Sequence, residues 1–307
     1  MAAMDTLPPR HGSDAPPAGR PATRPWAEPV RVERPAVQTA PIIFSSPHSG
    51  RDYPPAFVDQ SRLDMATLRR SEDSFVEELF ASAPTLGCPL IHAAFPRTWC
   101  DANREPWELD PGMFAGPLPA YVNAASPRVG AGLGTIARVV STGEAIYRRK
   151  LTFEEAEARI ASCWRPFHVA LAGLIKETLQ RFGCCLLIDC HSMPSHASPP
   201  GRERLPDVVL GDAHGTSCDG SATLRVEEAL SRRGLRVRRN EPYAGGYVTR
   251  HYGRPREGVH ALQIELARRL YMDELRIERS QGFGQLQALL TDVISELAAA
   301  DWSSLKP

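Results

Sequence analysis

Two histidines and a few carboxylates stand where apolar runs of this chain end. His48 follows Ile42-Ile43-Phe44, His191 follows Cys185-Leu186-Leu187-Ile188-Asp189, and Glu265 lies near the end of Leu262-Gln263-Ile264-Glu265-Leu266. Glu72 and Asp73 lie a short way after His48. Two imidazoles and one carboxylate with an open fourth position make the composition of a catalytic zinc site. A further glutamate that is not a ligand then serves as general base or acid. Side-chain alternation puts Asp189 and His191 on one strand face, and sets Gln263 and Glu265 opposite Leu262, Ile264 and Leu266. A glutamate within an apolar strand costs several kcal/mol if ionised and unpaired. A cation, a metal-bound water or a strong hydrogen bond is therefore expected beside Glu265.

These residues need a scaffold that gathers strand ends, and in open α/β sheets sites form outside the carboxyl ends of the strands. The apolar runs predict strands at 41–46, 90–95, 184–189, 208–210, 235–239 and 260–266. Helices are predicted at 63–83, 221–233 and 276–299. A further helix opens at a capping box, Thr152 to Glu155, and carries apolar residues at Ile160, Trp164, Phe167, Leu171 and Leu174. Pro166 should break or kink it, and Gly183 should stop it. Strands alternating with helices, several of them apolar throughout, argue for an α/β sandwich with a largely parallel sheet.

Composition narrows the function classes. Among 307 residues, 36 Lys+Arg balance 36 Asp+Glu, which removes the electrostatic footprint of a globally basic nucleic-acid binder. No apolar run is long enough for a spanning helix, and the first residues lack a secretory h-region. Seven cysteines, none in a CxxC pair, suit free thiols in the cytoplasm. Residues 1–40 hold eight prolines and no apolar periodicity, so a disordered extension is expected there, followed by one domain over 41–307. The Pro/Gly-rich stretch from Arg97 to Gly134 is long for a plain loop, and such loops are often functional. His92, His168, His196, His214, His251 and His260 read as structural or surface residues.

The motifs, taken in order, resemble the N-formylglutamate amidohydrolase family. They are Ser46-Pro47-His48-Ser49-Gly50, Glu72-Asp73-Ser74-Phe75-Val76, Asp101-Ala102-Asn103-Arg104, Asp189-Cys190-His191-Ser192-Met193-Pro194 and Ala261-Leu262-Gln263-Ile264-Glu265-Leu266, joined by Tyr243-Ala244-Gly245-Gly246 and Arg269-Leu270-Tyr271-Met272-Asp273. The resemblance covers about residues 41 to 298. It implies a three-layer α/β sandwich with a mixed, largely parallel sheet, of the zinc carboxypeptidase-like or phosphorylase/hydrolase-like kind. It implies hydrolysis of N-formyl-L-glutamate to formate and glutamate, a step of histidine breakdown. His48 and His191 then fall as metal imidazoles, with Zn²⁺ the expected ion. The carboxylate ligand falls at Asp73 or Glu72, with Asp73 preferred, and Glu265 falls as the catalytic glutamate. Ser74 departs from the bulky aromatic residue expected after Asp73.

A substrate with two carboxylates calls for arginine, whose planar fork pairs bidentately with a carboxylate. Arg97, Arg104 and Arg138 are the candidates, and Asn103 could donate to the same carboxylate or to a developing oxyanion. Competing readings are an aminoacylase or peptidase acting on other N-acyl acidic amino acids or short peptides, a Cys190–His191 hydrolase, and a binding protein on the same scaffold. Adjacent strand residues point to opposite faces, which disfavours the Cys190–His191 pair. Arg236 to Arg239 reads as a basic edge strand rather than a nucleic-acid patch.

Overall fold

The structure, a computed structural model, describes residues 26–195 and 206–307. Seven strands make one sheet: β1 (Val30–Glu33), β2 (Ile42–Ser46), β3 (Leu90–Ala93), β4 (Cys185–Met193), β5 (Val208–Gly211), β6 (Val237–Arg239) and β7 (Val259–Ala267). Their spatial order is β1-β3-β2-β4-β7-β5-β6. The central β3, β2, β4 and β7 run parallel to one another. β1 pairs antiparallel with β3, and β5 antiparallel with β7, so the sheet is mixed.

Both faces of the sheet are covered, which is why its central strands read as unbroken apolar runs. One face carries Ile42, Phe44, Leu186, Ile188, Leu262 and Ile264, packed with Val226 and Leu230 of helix Gly220–Ser231 and Leu290 and Ile294 of helix Gly282–Ala298. The other carries Ile43, Leu187 and Ala261, packed with Phe167, Leu171 and Leu174 of helix Arg165–Phe182. The result is a three-layer α/β sandwich. No helix among the described residues is long and apolar enough to cross a membrane.

The expected end of the extension at residue 40 is too late. Residues 1–25 lie outside the described residues, as does His196, but order is established by Trp26. Its buried indole donates to the Asp52 carbonyl at 3.2 Å and meets Phe95 and Trp99 edge-on. β1 follows as a four-residue edge strand with only alternate residues facing the core. An edge position tolerates the neighbouring prolines that obscure it in the sequence.

The predicted helix over 63–83 is two short helices, Met65–Arg69 and Val76–Leu79. Between them Ser71 to Ser74 turn inward and are buried, and Phe75 takes a left-handed φ of 67°. The terminal helix starts later than expected, because Met272–Asp273 and Glu278–Arg279 form a small hairpin, β8 and β9. The capping box at Thr152 and Glu155 is present. Pro166 acts as expected: helix Phe153–Arg159 ends in a wide turn over Ile160–Trp164, and the proline enters the first turn of the next helix, where a missing N–H costs least.

Candidate active site

Strand alternation builds the floor of the site. On β4 and β7 the side chains of the Leu187 and Ala261 face become polar toward the carboxyl ends, giving Asp189 and His191 on one strand and Gln263 and Glu265 on the other. The parallel register sets Asp189 beside Gln263 and His191 beside Glu265. His48 sits in the turn after β2, whose Gly50 lies so close to the Phe95 carbonyl that an added Cβ would stand 2.1 Å from it. The inward turn after helix Met65–Arg69 brings Asp73 up to His48, with its backbone N–H donating to the His48 carbonyl at 3.1 Å.

His48, Asp73 and His191 form a cluster whose ligand atoms all lie within 4.8 Å of one another, and all three residues are buried. Asp73 Oδ2 is 2.9 Å from His191 Nδ1 and 3.4 Å from His48 Nδ1. The outer nitrogens face carboxylates: His48 Nε2 lies 2.6 Å from Asp101 Oδ1, and His191 Nε2 lies 2.8 Å from Asp189 Oδ2. Outer carboxylates that take the Nε2 protons leave both Nδ1 lone pairs directed at the Asp73 oxygen, the arrangement that outer-shell carboxylates impose on metal-binding imidazoles. His48 Nδ1 is buried without a hydrogen-bond partner. A buried orphan nitrogen calls for an explanation, and with a His, His, Asp donor set around it a divalent metal ion fits.

Glu72 is not part of the cluster. Its carboxylate accepts from Arg69 Nε at 3.0 Å and from Ser74 Oγ at 2.8 Å. Ser74, in place of a bulky aromatic, thus ties Glu72 back and leaves Asp73 as the ligand candidate.

Electrostatics follow from this packing. Burial opposes a charge on Asp73, but the His191 and His48 imidazoles beside it more than offset that and hold its carboxyl well below the usual range. Burial likewise opposes a charge on His191, while Asp189 beside it and Asp73 hold its imidazole well above the usual value. Glu265 responds in the other direction. Burial pushes its carboxyl up to about 7, against the pull of His191. Gln263 Nε2 donates to Glu265 Oε1 at 2.8 Å and Gln263 Oε1 accepts from Gly246 N–H at 2.7 Å, so an amide holds the glutamate, with no salt bridge to it among the described residues. Arg250, the conceivable structural partner, donates instead to the Gly245 carbonyl. The site thus pairs a candidate metal cluster with a near-neutral carboxyl poised for proton transfer.

A cavity of about 1010 Å³ opens over these groups and is also lined by Arg97, Asn103, Arg104, Arg128 and Arg250. Arg97 donates to Asp101 Oδ2 at 2.8 Å. Arg104 spends Nε on the Leu133 carbonyl and Nη1 on the Asn103 carbonyl, with Nη2 3.9 Å from Asp101 Oδ2. Burial lowers its pKa to about 10, which leaves it charged. Asn103 serves the scaffold as well as the cavity: Oδ1 accepts from Val248 N–H, and Nδ2 donates to Asp189 Oδ2. Its close seat explains Gly246, where a Cβ would come 2.4 Å from Nδ2.

The structure does not bring Arg138 to the cavity. Its Nε donates to Asp110 Oδ2 at 2.7 Å, and the side chain is 41% exposed. Arg138 falls just beyond the Pro/Gly-rich segment, and the turn between Gly132 and Arg138 faces it outward to Asp110. Cys190 is also removed from the chemistry. It points to the opposite sheet face, its Sγ near the Ile188 carbonyl, and burial pushes its thiol well above the usual range.

Several contributors have no role assigned from the sequence. Asp189 could have been assigned, because its parity with His191 was already visible. Asp101 stands beside the predicted Asn103-Arg104 pair, yet no spacing rule ties it to His48, 53 residues earlier. Arg128 lies in the Pro/Gly-rich segment whose length suggests a functional loop. Arg268 follows β7 in a short run with no distinguishing pattern.

The sequence model of the N-formylglutamate amidohydrolase family matches residues 40–272. N-formylglutamate deformylase of Pseudomonas aeruginosa is 32% identical over 237 residues, covering 76% of this chain and 83% of that protein. N-formylglutamate deformylase of Pseudomonas putida is 30% identical over 237 residues, covering 76% and 82%. The crystal structure of N-formylglutamate amidohydrolase from Ralstonia eutropha is similar with a TM-score of 0.82 and 36% identity, over 88% of this chain and 97% of that one.

Proposed function

The chain belongs to the N-formylglutamate amidohydrolase family, and we propose that it hydrolyses N-formyl-L-glutamate to formate and L-glutamate with a divalent metal, Zn²⁺ first, held by His48, Asp73 and His191. The observation that carries this reading is the convergence of two buried imidazole Nδ1 atoms on one Asp73 oxygen beside a glutamate that is held by the Gln263 amide and has no salt bridge among the described residues. When bound, the metal supplies a Lewis acid that polarises the formyl carbonyl and acidifies water.

The protein's own groups do the rest. Glu265 takes a proton from the attacking water as a C–O bond forms at the formyl carbon. The same carboxyl then gives that proton to the amine nitrogen as the C–N bond breaks. Formate and the free amino group of glutamate result, and Glu265 returns to its starting state. Gln263 aims the glutamate throughout. Asp189 and Asp101 hold the imidazoles in the tautomer that offers Nδ1. Arg104, with Nη2 uncommitted at hydrogen-bond range, is the receptor for a substrate carboxylate, and Arg97 and Asn103 support that wall.

This assignment makes the protein a cytoplasmic enzyme of histidine breakdown, in keeping with seven free, buried thiols. The test is formate release from N-formyl-L-glutamate by the purified protein, repeated after chelation and after zinc is restored, with N-acetyl-L-glutamate in parallel. Release that is lost and regained is the expected result. Turnover of the acetyl compound alone would move the reading to an aminoacylase, and no release in any state would remove it.

A further inference from the structure

We infer that Arg268 is a positioning residue that divides the two oxygens of Asp73, fixing Oδ1 to the protein so that only Oδ2 is offered to a metal. The inference rests on the reading of His48, Asp73 and His191 as a metal centre. It assigns a role to a residue that touches neither the imidazoles nor the reacting atoms.

Arg268 follows directly on β7, three positions after Glu265, and is 8% exposed. Its guanidinium is fully engaged around the Asp73 turn. Nη2 donates to the Glu72 carbonyl at 2.6 Å and to Asp73 Oδ1 at 3.3 Å, and Nη1 donates to the Arg70 carbonyl at 3.3 Å. Nε donates to Ser192 Oγ at 3.1 Å, and that hydroxyl donates in turn to Asp73 Oδ1 at 3.1 Å. Oδ1 therefore has two donors on the protein side, while Oδ2 faces both imidazoles.

The consequence concerns coordination number. A carboxylate free to rotate can offer both oxygens to one ion, as it does for large oxygen-seeking cations. A carboxylate with one oxygen held offers a single donor. Together with two imidazoles this makes three ligands and leaves an open position, the arrangement of catalytic zinc sites. The planar fork of arginine suits the task because it reaches two backbone carbonyls, a hydroxyl and a carboxylate at once, which a lysine ammonium cannot do.

The experiment compares wild type with Arg268→Gln and Ser192→Ala, using Co²⁺ and Zn²⁺ as probes. Affinity is read by competition with a chelator, coordination from the visible absorption of the Co²⁺ form, and folding from thermal melts. Arg268→Gln is expected to weaken Zn²⁺ binding about 10–100-fold, and to replace the intense cobalt spectrum of a low-coordinate site with a weaker, higher-coordinate one. Ser192→Ala should move the same way by less. A folded Arg268→Gln protein with lower melting temperature but unchanged cobalt spectrum and Zn²⁺ affinity would reduce Arg268 to a structural cross-link and overturn the inference. Should that variant fail to fold, an unchanged spectrum in Ser192→Ala overturns it equally. A wild-type protein that takes up neither ion would instead overturn the metal reading on which it rests.

Discussion

Asp189 and His191 stand two positions apart on β4, and the carboxylate Oδ2 meets the imidazole Nε2 at 2.8 Å. The strand's own period makes this contact, since residues i and i+2 share a face. Asp189 is fixed from its other sides by Ser45 Oγ at 3.2 Å and Asn103 Nδ2 at 3.3 Å. An asparagine there keeps the shape and an acceptor for Nε2 but loses the charge that makes the imidazole a stronger donor to metal. Asp189→Asn should therefore weaken metal binding about 10–100-fold with little loss of folded protein. Chelator competition alongside a thermal melt checks it, and unchanged affinity would leave Asp189 without a role beyond packing.

Glu265 is expected to separate metal binding from turnover. It belongs to no ligand set, and the Gln263 amide that holds its Oε1 can hold the carbonyl of a glutamine equally well. Glu265→Gln should retain the wild-type metal content while kcat falls by about 10²–10⁴. Metal analysis and steady-state rates on the same preparation decide the point. Wild-type turnover in the variant would exclude Glu265 as the proton carrier.

What was legible in the sequence tracks what is covered on both sides. Central strands such as Cys185–Met193 show as apolar runs because helices pack on both faces, whereas Val30–Glu33 at the sheet edge buries only alternate residues and is lost among prolines. Phe75, Leu79 and Phe80 have helical spacing, but the buried polar turn at Ser71 to Ser74 interrupts the helix to deliver Asp73 to His48. Within strands, parity identifies partners, as for His191 with Asp189 and Glu265 with Gln263. Across irregular segments it fails: Asp101, Arg128 and Arg268 reach the site through tertiary placement that no local period encodes. The same gap explains Arg138, which lies beside the Pro/Gly-rich segment but faces outward.

Glu77 gives a pH dependence of stability that is independent of the cluster. Burial pushes its carboxyl up to about 7, although Arg51 lies 3.4 Å away and pulls the other way. An unfolded glutamate titrates near about 4.3. Between these values the folded chain holds a proton that the unfolded chain has released, so stability falls as pH rises through this window and levels off above about 7. The full effect is about 4 kcal/mol. Glu77→Gln mimics the protonated form and should remove that slope, leaving the variant more stable than wild type at pH 8 and near equal to it at pH 4. Urea denaturation at the two pH values measures the difference. A variant less stable at pH 8 would show that the ionised carboxylate is needed by Arg51.

Arg104 and Arg138 should behave oppositely. Arg104 is buried in the cavity wall, with Nε and Nη1 fixed on backbone carbonyls and one edge left for a ligand. Arg104→Lys keeps a charge but loses the fork, so KM for N-formyl-L-glutamate should rise about tenfold or more while metal content stays unchanged. Arg138 forms a half-exposed pair with Asp110 outside the cavity, and such pairs contribute about 0–1 kcal/mol to stability. Arg138→Lys should leave KM and kcat near wild type. Parallel kinetics on the two variants test the placement directly: a KM effect at Arg138 with none at Arg104 would mean that the substrate approaches from the Asp110 side, and the cavity wall assigned here would have to be exchanged for it.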